Sequence, residues 1–159
     1  MRILDRKSGE KWMLAAAEVA VSATCSRSKC GSVIVNDGEI IGKGFNSPAG
    51  NLENQRRCDA EKSSYHSKVT DKTCCVHAEE RAITDALRKN PEKLSGSMLY
   101  FIRLDGNGDS KFSGAPYCTI CSKLALDAGI AEFVLWHESG IAAYKADEYN
   151  DLSYKCFEE

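Results

Sequence analysis

Two short motifs constrain this chain more than anything else in it: His77-Ala78-Glu79 and, 41 residues later, Cys118-Thr119-Ile120-Cys121. Each opens an expected helix. Residues 78 to 89 place Ala78, Ala82, Ile83, Ala86 and Leu87 on one stripe, and Asn90-Pro91 stops the pattern. Cys118 to Asp127 reads as a second such helix, closed by Gly129 in a C-terminal capping position. Thiols at i and i+3 share one face of a helix, and the amides of the first turn favour thiolate over thiol. Cys118 and Cys121 are therefore suited to grip a borderline cation, with His77 as third ligand. Zn²⁺ takes two thiolates and an imidazole and keeps a fourth tetrahedral position open, the arrangement of a catalytic site. Hydrolysis at such a centre needs a carboxylate to move a proton, which makes Glu79 the candidate shuttle. Residues two apart in a helix point to nearly opposite sides, at about 100° per residue. His77 is accordingly expected at the cap.

Around these motifs the sequence alternates helix and strand. Ser8 is the expected cap of a first amphipathic helix carrying Trp12, Ala16, Val19, Ala20 and Ala23, which ends near Cys25 to Cys30. Ser32 to Asn36 and Glu39 to Phe45 read as strands joined at Asp37-Gly38, a dipeptide suited to a two-residue hairpin turn. Residues 46 to 76 are polar and aperiodic, an expected long loop insertion with a short helix around residues 53 to 63. Met98 to Leu104 and Glu132 to Trp136 read as strands, with a Gly-rich loop from Asp105 to Ala115. Residues 138 to 159, holding Tyr144, Tyr149, Tyr154 and Phe157, are expected to form a tail, final helix or lid. The pattern predicts one α/β domain over residues 1 to 159, with three α/β/α layers around a mixed sheet.

Composition excludes several classes of function. Twenty-one Lys and Arg against 23 Asp and Glu leave a formal charge of −2, with no whole-chain footprint for a nucleic-acid polyanion. Residues 1 to 30 carry six basic and three acidic groups and residues 131 to 159 carry two and seven, the pattern of a solvated surface with an acidic tail. The best apolar run, Trp12 to Ala17, stops at Glu18, far short of the roughly 18 residues of a membrane span. Met1 to Glu10 lacks a secretory signal's apolar segment, so a cytoplasmic location is expected. Eight cysteines in a chain of that compartment point to metal or catalysis in place of disulfides.

The motifs and their setting resemble the zinc-dependent cytidine and deoxycytidylate deaminase superfamily, over about Cys25 to Trp136. Gly31-Ser32-Val33-Ile34-Val35 and the run Ile40 to Gly50 are similar to the deoxycytidylate branch's hairpin and substrate loop, and His77-Ala78-Glu79-Glu80-Arg81-Ala82-Ile83 to its zinc helix. The resemblance implies a mixed five-stranded sheet flanked by helices and assembly as a dimer or larger homo-oligomer. It implies hydrolytic attack at C4 of a cytosine nucleotide, of the dCMP-to-dUMP type, with release of ammonia. His77, Cys118 and Cys121 would hold one zinc ion, and Glu79 would carry the protons. Asn46 would bind sugar or base, its other reading being a turn-forming Asn beside Pro48, and backbone around Ala115 and Pro116 would meet the exocyclic amine. Three features depart from the family pattern: Tyr117 stands between Pro116 and Cys118, the Asp105 to Ala115 loop is long, and Asn46-Ser47-Pro48 is one glycine short.

Some deoxycytidylate deaminases hold a second, structural zinc between the end of the first helix and the long loop. Cys25, Cys58, His66, Cys74 and Cys75 fall in those regions, the other reading being buried free thiols. Cys30 and Cys156 read as core or surface thiols. Two further functions share the same ligands. A nucleic-acid editing enzyme acting on transfer RNA or single strands needs a basic groove, yet Arg56, Arg57, Lys62, Lys68 and Lys72 are interleaved with Glu53, Asp59, Glu61 and Asp71, which favours small substrates. A non-catalytic zinc-stabilised binding protein would have no use for Glu79, and a redox Cys118/Cys121 pair none for His-x-Glu.

Overall fold

The computed structural model describes residues 1–155. A two-residue strand β1 (Arg2–Ile3) leads into α1 (Arg6–Val21), followed by the hairpin β2 (Lys29–Asn36) and β3 (Glu39–Phe45). Asp37 and Gly38 turn the hairpin with φ of 48° and 77°, the paired positive values that a two-residue turn demands. The long loop is zipped at its base by β4 (Ser47–Pro48) and β5 (Cys75–Val76), which pair antiparallel. Next come α2 (Ala78–Lys89), β6 (Met98–Leu104), β7 (Ser110–Lys111), α3 (Thr119–Asp127), β8 (Glu132–His137), β9 (Gly140–Lys145) and α4 (Ala146–Ser153). The main sheet runs β1-β9-β8-β6-β2-β3, with β7 added on β6. Its β6–β8 pair is parallel, bridged by α3, and the other pairs are antiparallel.

Side chains along a strand alternate between faces, and each face has its own core. Met13, Ala16 and Ala20 of α1 pack on Val33, Tyr100, Ile102, Val134 and Ile141. Ala82, Ile83 and Ala86 of α2, Ala125 of α3 and Tyr149 of α4 pack on Ile34, Leu99, Phe101, Phe133 and Leu135. The expected three layers are thus present. Two glycines let the helices approach this closely: a Cβ on Gly31 would overlap the Ala16 carbonyl oxygen of α1, and one on Gly44 the Ala78 carbonyl oxygen of α2.

The structure corrects several expectations. The sheet has seven strands, five long ones plus the two-residue β1 and β7, whose short hydrophobic content leaves no periodic signal. Asp5, not Ser8, caps α1, since its Oδ2 accepts from the Ser8 N–H at 3.1 Å. The helix stops at Val21, leaving Ala23 beyond it. Residues 53 to 63 hold no α-helix, only 3₁₀ turns at Glu53–Gln55 and Lys62–Ser64. Leu87 is 47% exposed while the rest of its stripe is buried. Much of the supposed tail is sheet: β9 pairs with β8 and β1 and buries Tyr144, and α4 stacks Tyr149 on Phe133 at 4.0 Å. Cys156 and Phe157 lie outside the described residues.

Candidate active site and metal centres

His77 is the N-cap of α2, in extended conformation (φ −69°, ψ 154°), and donates its N–H to Glu80 Oε2 at 2.9 Å. That conformation frees the imidazole from the helical repeat. Cys118 caps α3 in the same way, its Sγ accepting from the Cys121 N–H at 3.5 Å. The two helix starts therefore face each other, with His77 Nδ1 3.2 Å from Cys121 Sγ and 3.3 Å from Cys118 Sγ. Zn–S bonds of about 2.3 Å and Zn–N bonds of about 2.0 Å set tetrahedral donor separations of about 3.5–3.8 Å. A few tenths of an ångström of adjustment admits the ion, so the donor set fits zinc in chemistry and in spacing.

The electrostatics are those of a cation-binding site. The hydrogen bond from Cys121 and the His77 imidazole bring the Cys118 thiol down to about 4. Contact with that sulfur, reinforced by Glu79, raises His77 to about 9. Cys121 is pushed far up by the Cys118 sulfur and by burial. Glu79, 4% exposed, is pushed up to about 7 because burial penalises its charge. A carboxyl that gives and takes protons with equal ease near neutrality is what a shuttle requires.

A pocket of about 150 Å³ opens on Glu79 and His77, walled by Ser28, Cys30, Asn46, Phe101, Arg103 and Tyr117. Asn46 serves the fold as well as the pocket: its Oδ1 accepts from the Cys30 N–H and its Nδ2 donates to the Ser28 carbonyl, both at 2.9 Å. An amide keeps a further donor and acceptor for a ligand. Ala115 and Pro116 do not wall this pocket. Ala115 lines an adjoining cavity, and Pro116 is buried in the loop. Tyr117, the residue inserted before Cys118, walls it instead. Arg103 was missed in the sequence reading, although it is the only charged residue in the apolar run Met98–Leu104. Cys30 is buried and belongs to the pocket wall.

A second thiol cluster gathers under the long loop. The Sγ atoms of Cys25, Cys58 and Cys75 lie within 4.8 Å of one another. Cys74 Sγ is 3.3 Å from Cys58 and 3.7 Å from Cys75. Sulfurs of a tetrahedral zinc site sit about 3.8 Å apart, so this set also fits the metal. His66 is exposed, outside the cluster, and accepts the Lys68 N–H at its own Nδ1 at 3.2 Å.

Three layers with a His, Cys, Cys triad across two helix starts and a buried glutamate define a zinc-dependent hydrolase of the deaminase class. The chain belongs to the cytidine and deoxycytidylate deaminase family, whose zinc-binding region is matched by residues 6–137. It is 28% identical over 143 residues to a deoxycytidylate deaminase of Mycobacterium phage D29, covering 86% of this chain and all of that one. Among solved structures it is similar to the dCMP deaminase of cyanophage S-TIM5 in complex with dCMP and dUMP (TM-score 0.58, 22% identity, 82% and 81% of the two chains). A cytidine deaminase from Burkholderia pseudomallei shares the fold at a TM-score of 0.54, with 18% identity over 88% of this chain and 94% of that one. No helix among the described residues is long and apolar enough to cross a membrane.

Proposed function

We propose that this chain hydrolyses the 4-amino group of a cytosine nucleotide, converting dCMP to dUMP with release of ammonia. The observation that carries the reading is Glu79, buried and raised to about 7, beside the His77, Cys118, Cys121 triad at the floor of a ring-sized pocket. The phage relatives, one a deoxycytidylate deaminase and one a structure with dCMP and dUMP, support the nucleotide as substrate. When bound, zinc supplies Lewis acidity that brings a water within reach of deprotonation near neutral pH. Glu79 takes that proton and passes it to ring N3 as the oxygen adds to C4. It then moves the second proton to the amino group, so that the C4–N bond breaks and ammonia leaves. Asn46, in its two roles, bounds the sugar side. Cys25, Cys58, Cys74 and Cys75 hold a second, structural zinc that shapes the polar loop, and the enzyme works in the cytoplasm as a homo-oligomer.

The test is ammonia release from dCMP by the zinc-loaded protein, with Glu79→Ala alongside. Turnover is expected to fall by about 10²–10⁴-fold with zinc retained, the contribution typical of general acid–base transfer. An alanine variant with the parent's rate sinks the mechanism. Light scattering checks the assembly.

A further inference from the structure

Three cavities meet at one side chain. Arg103 walls the ring-sized pocket over Glu79, a groove of about 580 Å³ on one side, and a cavity of about 430 Å³ on the other. Pockets that enclose an organic ligand run to about 300–1,000 Å³, so the ring pocket takes a base while the rest of a nucleotide continues into a neighbour. The two neighbours differ in chemistry. The smaller is apolar and aromatic, walled by Phe112, Leu135 and Tyr149. The larger carries Arg27, Lys29 and Lys111 against Asp105, and is the natural path for an anionic tail.

Within that groove Arg27 and Lys29 are each tied to a backbone carbonyl, Arg27 donating to that of Cys58 at 2.8 Å and Lys29 to that of Val21 at 3.5 Å. Arg103 is different. Its Nη2 donates to Tyr117 Oη at 2.8 Å, its Nε is buried without a partner, and among the described residues no carboxylate pairs with it. A half-buried guanidinium with an idle N–H and no counter-ion is costly unless a ligand completes it. Its fork of donors suits a phosphate, and Lys111, its cross-strand partner on β7, adds a second cation.

We propose that Arg103, aimed by Tyr117, binds the substrate's phosphate and makes a phosphorylated substrate preferred over the bare nucleoside. This rests on the nucleotide-deaminase reading above and assigns the residue that gives it phosphate selectivity. Tyr117 is a positioning residue: its hydroxyl fixes the guanidinium at the junction of the three cavities.

The experiment compares kcat/KM for dCMP, deoxycytidine and a single-stranded deoxyoligonucleotide in the parent, Arg103→Gln, Arg103→Lys and Tyr117→Phe, each checked for parental zinc content. Arg103→Gln is expected to lower kcat/KM for dCMP about 30-fold or more beyond any change with deoxycytidine, the loss typical of removing a buried charge partner. Arg103→Lys restores part of that ratio, and Tyr117→Phe loses part of it, chiefly through KM. Equal losses on both small substrates overturn the proposal, as does deamination confined to the oligonucleotide. If the parent turns over none of the three substrates, the deamination reading fails by itself, and thermal shifts decide the phosphate site separately. A larger rise in Tm with dUMP than with deoxyuridine, abolished in Arg103→Gln, upholds it; no difference in the parent overturns it.

Discussion

Cys118, at about 4, is already a thiolate at neutral pH, while His77, at about 9, is an imidazolium and Cys121 is a thiol. Zinc requires all three without protons, so its capture at pH 7 releases about two protons, one from His77 and one from Cys121. Affinity at this site therefore rises with pH, about a hundredfold per unit, and the slope falls to about tenfold per unit above about 9, where His77 deprotonates unaided and Cys121 alone still gives up a proton. Calorimetry in buffers of different ionisation enthalpy measures the proton count directly, and a count of zero would refute the assignment of the protonated partners. At this scale the sequence was partly transparent. His77, Glu79, Cys118 and Cys121 announce themselves by spacing at helix starts. Tyr117 shows only as an insertion ahead of Cys118 and Arg103 not at all, because their contact comes from a cross-strand register and a cavity junction that no local pattern encodes.

The helix α2 is held to β3 at a point where only glycine fits. Gly44→Ala drives a methyl into the Ala78 carbonyl, in the turn that carries His77 and Glu79. Overpacking costs about 1–3 kcal/mol, so the variant is expected to melt lower and also to bind zinc more weakly, read by denaturant titration and by competition with a chelator. Gly38→Ala meets nothing within 4 Å and carries only the strain of its positive φ, so it should lose about 1 kcal/mol and leave the metal untouched. The elements with strong periodicity, α2, β3 and β6, are legible to within a residue, whereas β2 begins at Lys29, three residues before the run Ser32 to Asn36 shows it. The first-helix cap is not legible, since Asp5 and Ser8 are both good caps by type and only the structure shows Asp5 accepting from the Ser8 N–H. Nor is β9, whose Gly140–Lys145 run alternates too briefly to separate from a tail until β8 lies next to it.

Across the whole molecule, the loop of residues 46 to 76 has little apolar content to bury, and its order depends on β4–β5 pairing and the four thiols beneath it. Metal analysis is expected to find two zinc ions per chain. Cys58→Ser should lose one of them and expose the loop to proteolysis, with the His77 site still loaded; a single zinc in the parent would refute the structural site. The fold also sets a schedule. His77 and Cys118 are 41 residues apart, and their helices are brought together across the β2–β6 pairing and the α3 crossover that places β8 parallel to β6. Distant pairings of this kind close late in folding. The triad is then a clock for the chain: the moment a refolding molecule captures zinc there marks the pairing of β6 with β8, and a zinc-sensitive dye followed in stopped flow with Cys58→Ser, which keeps the His77 site, would time it.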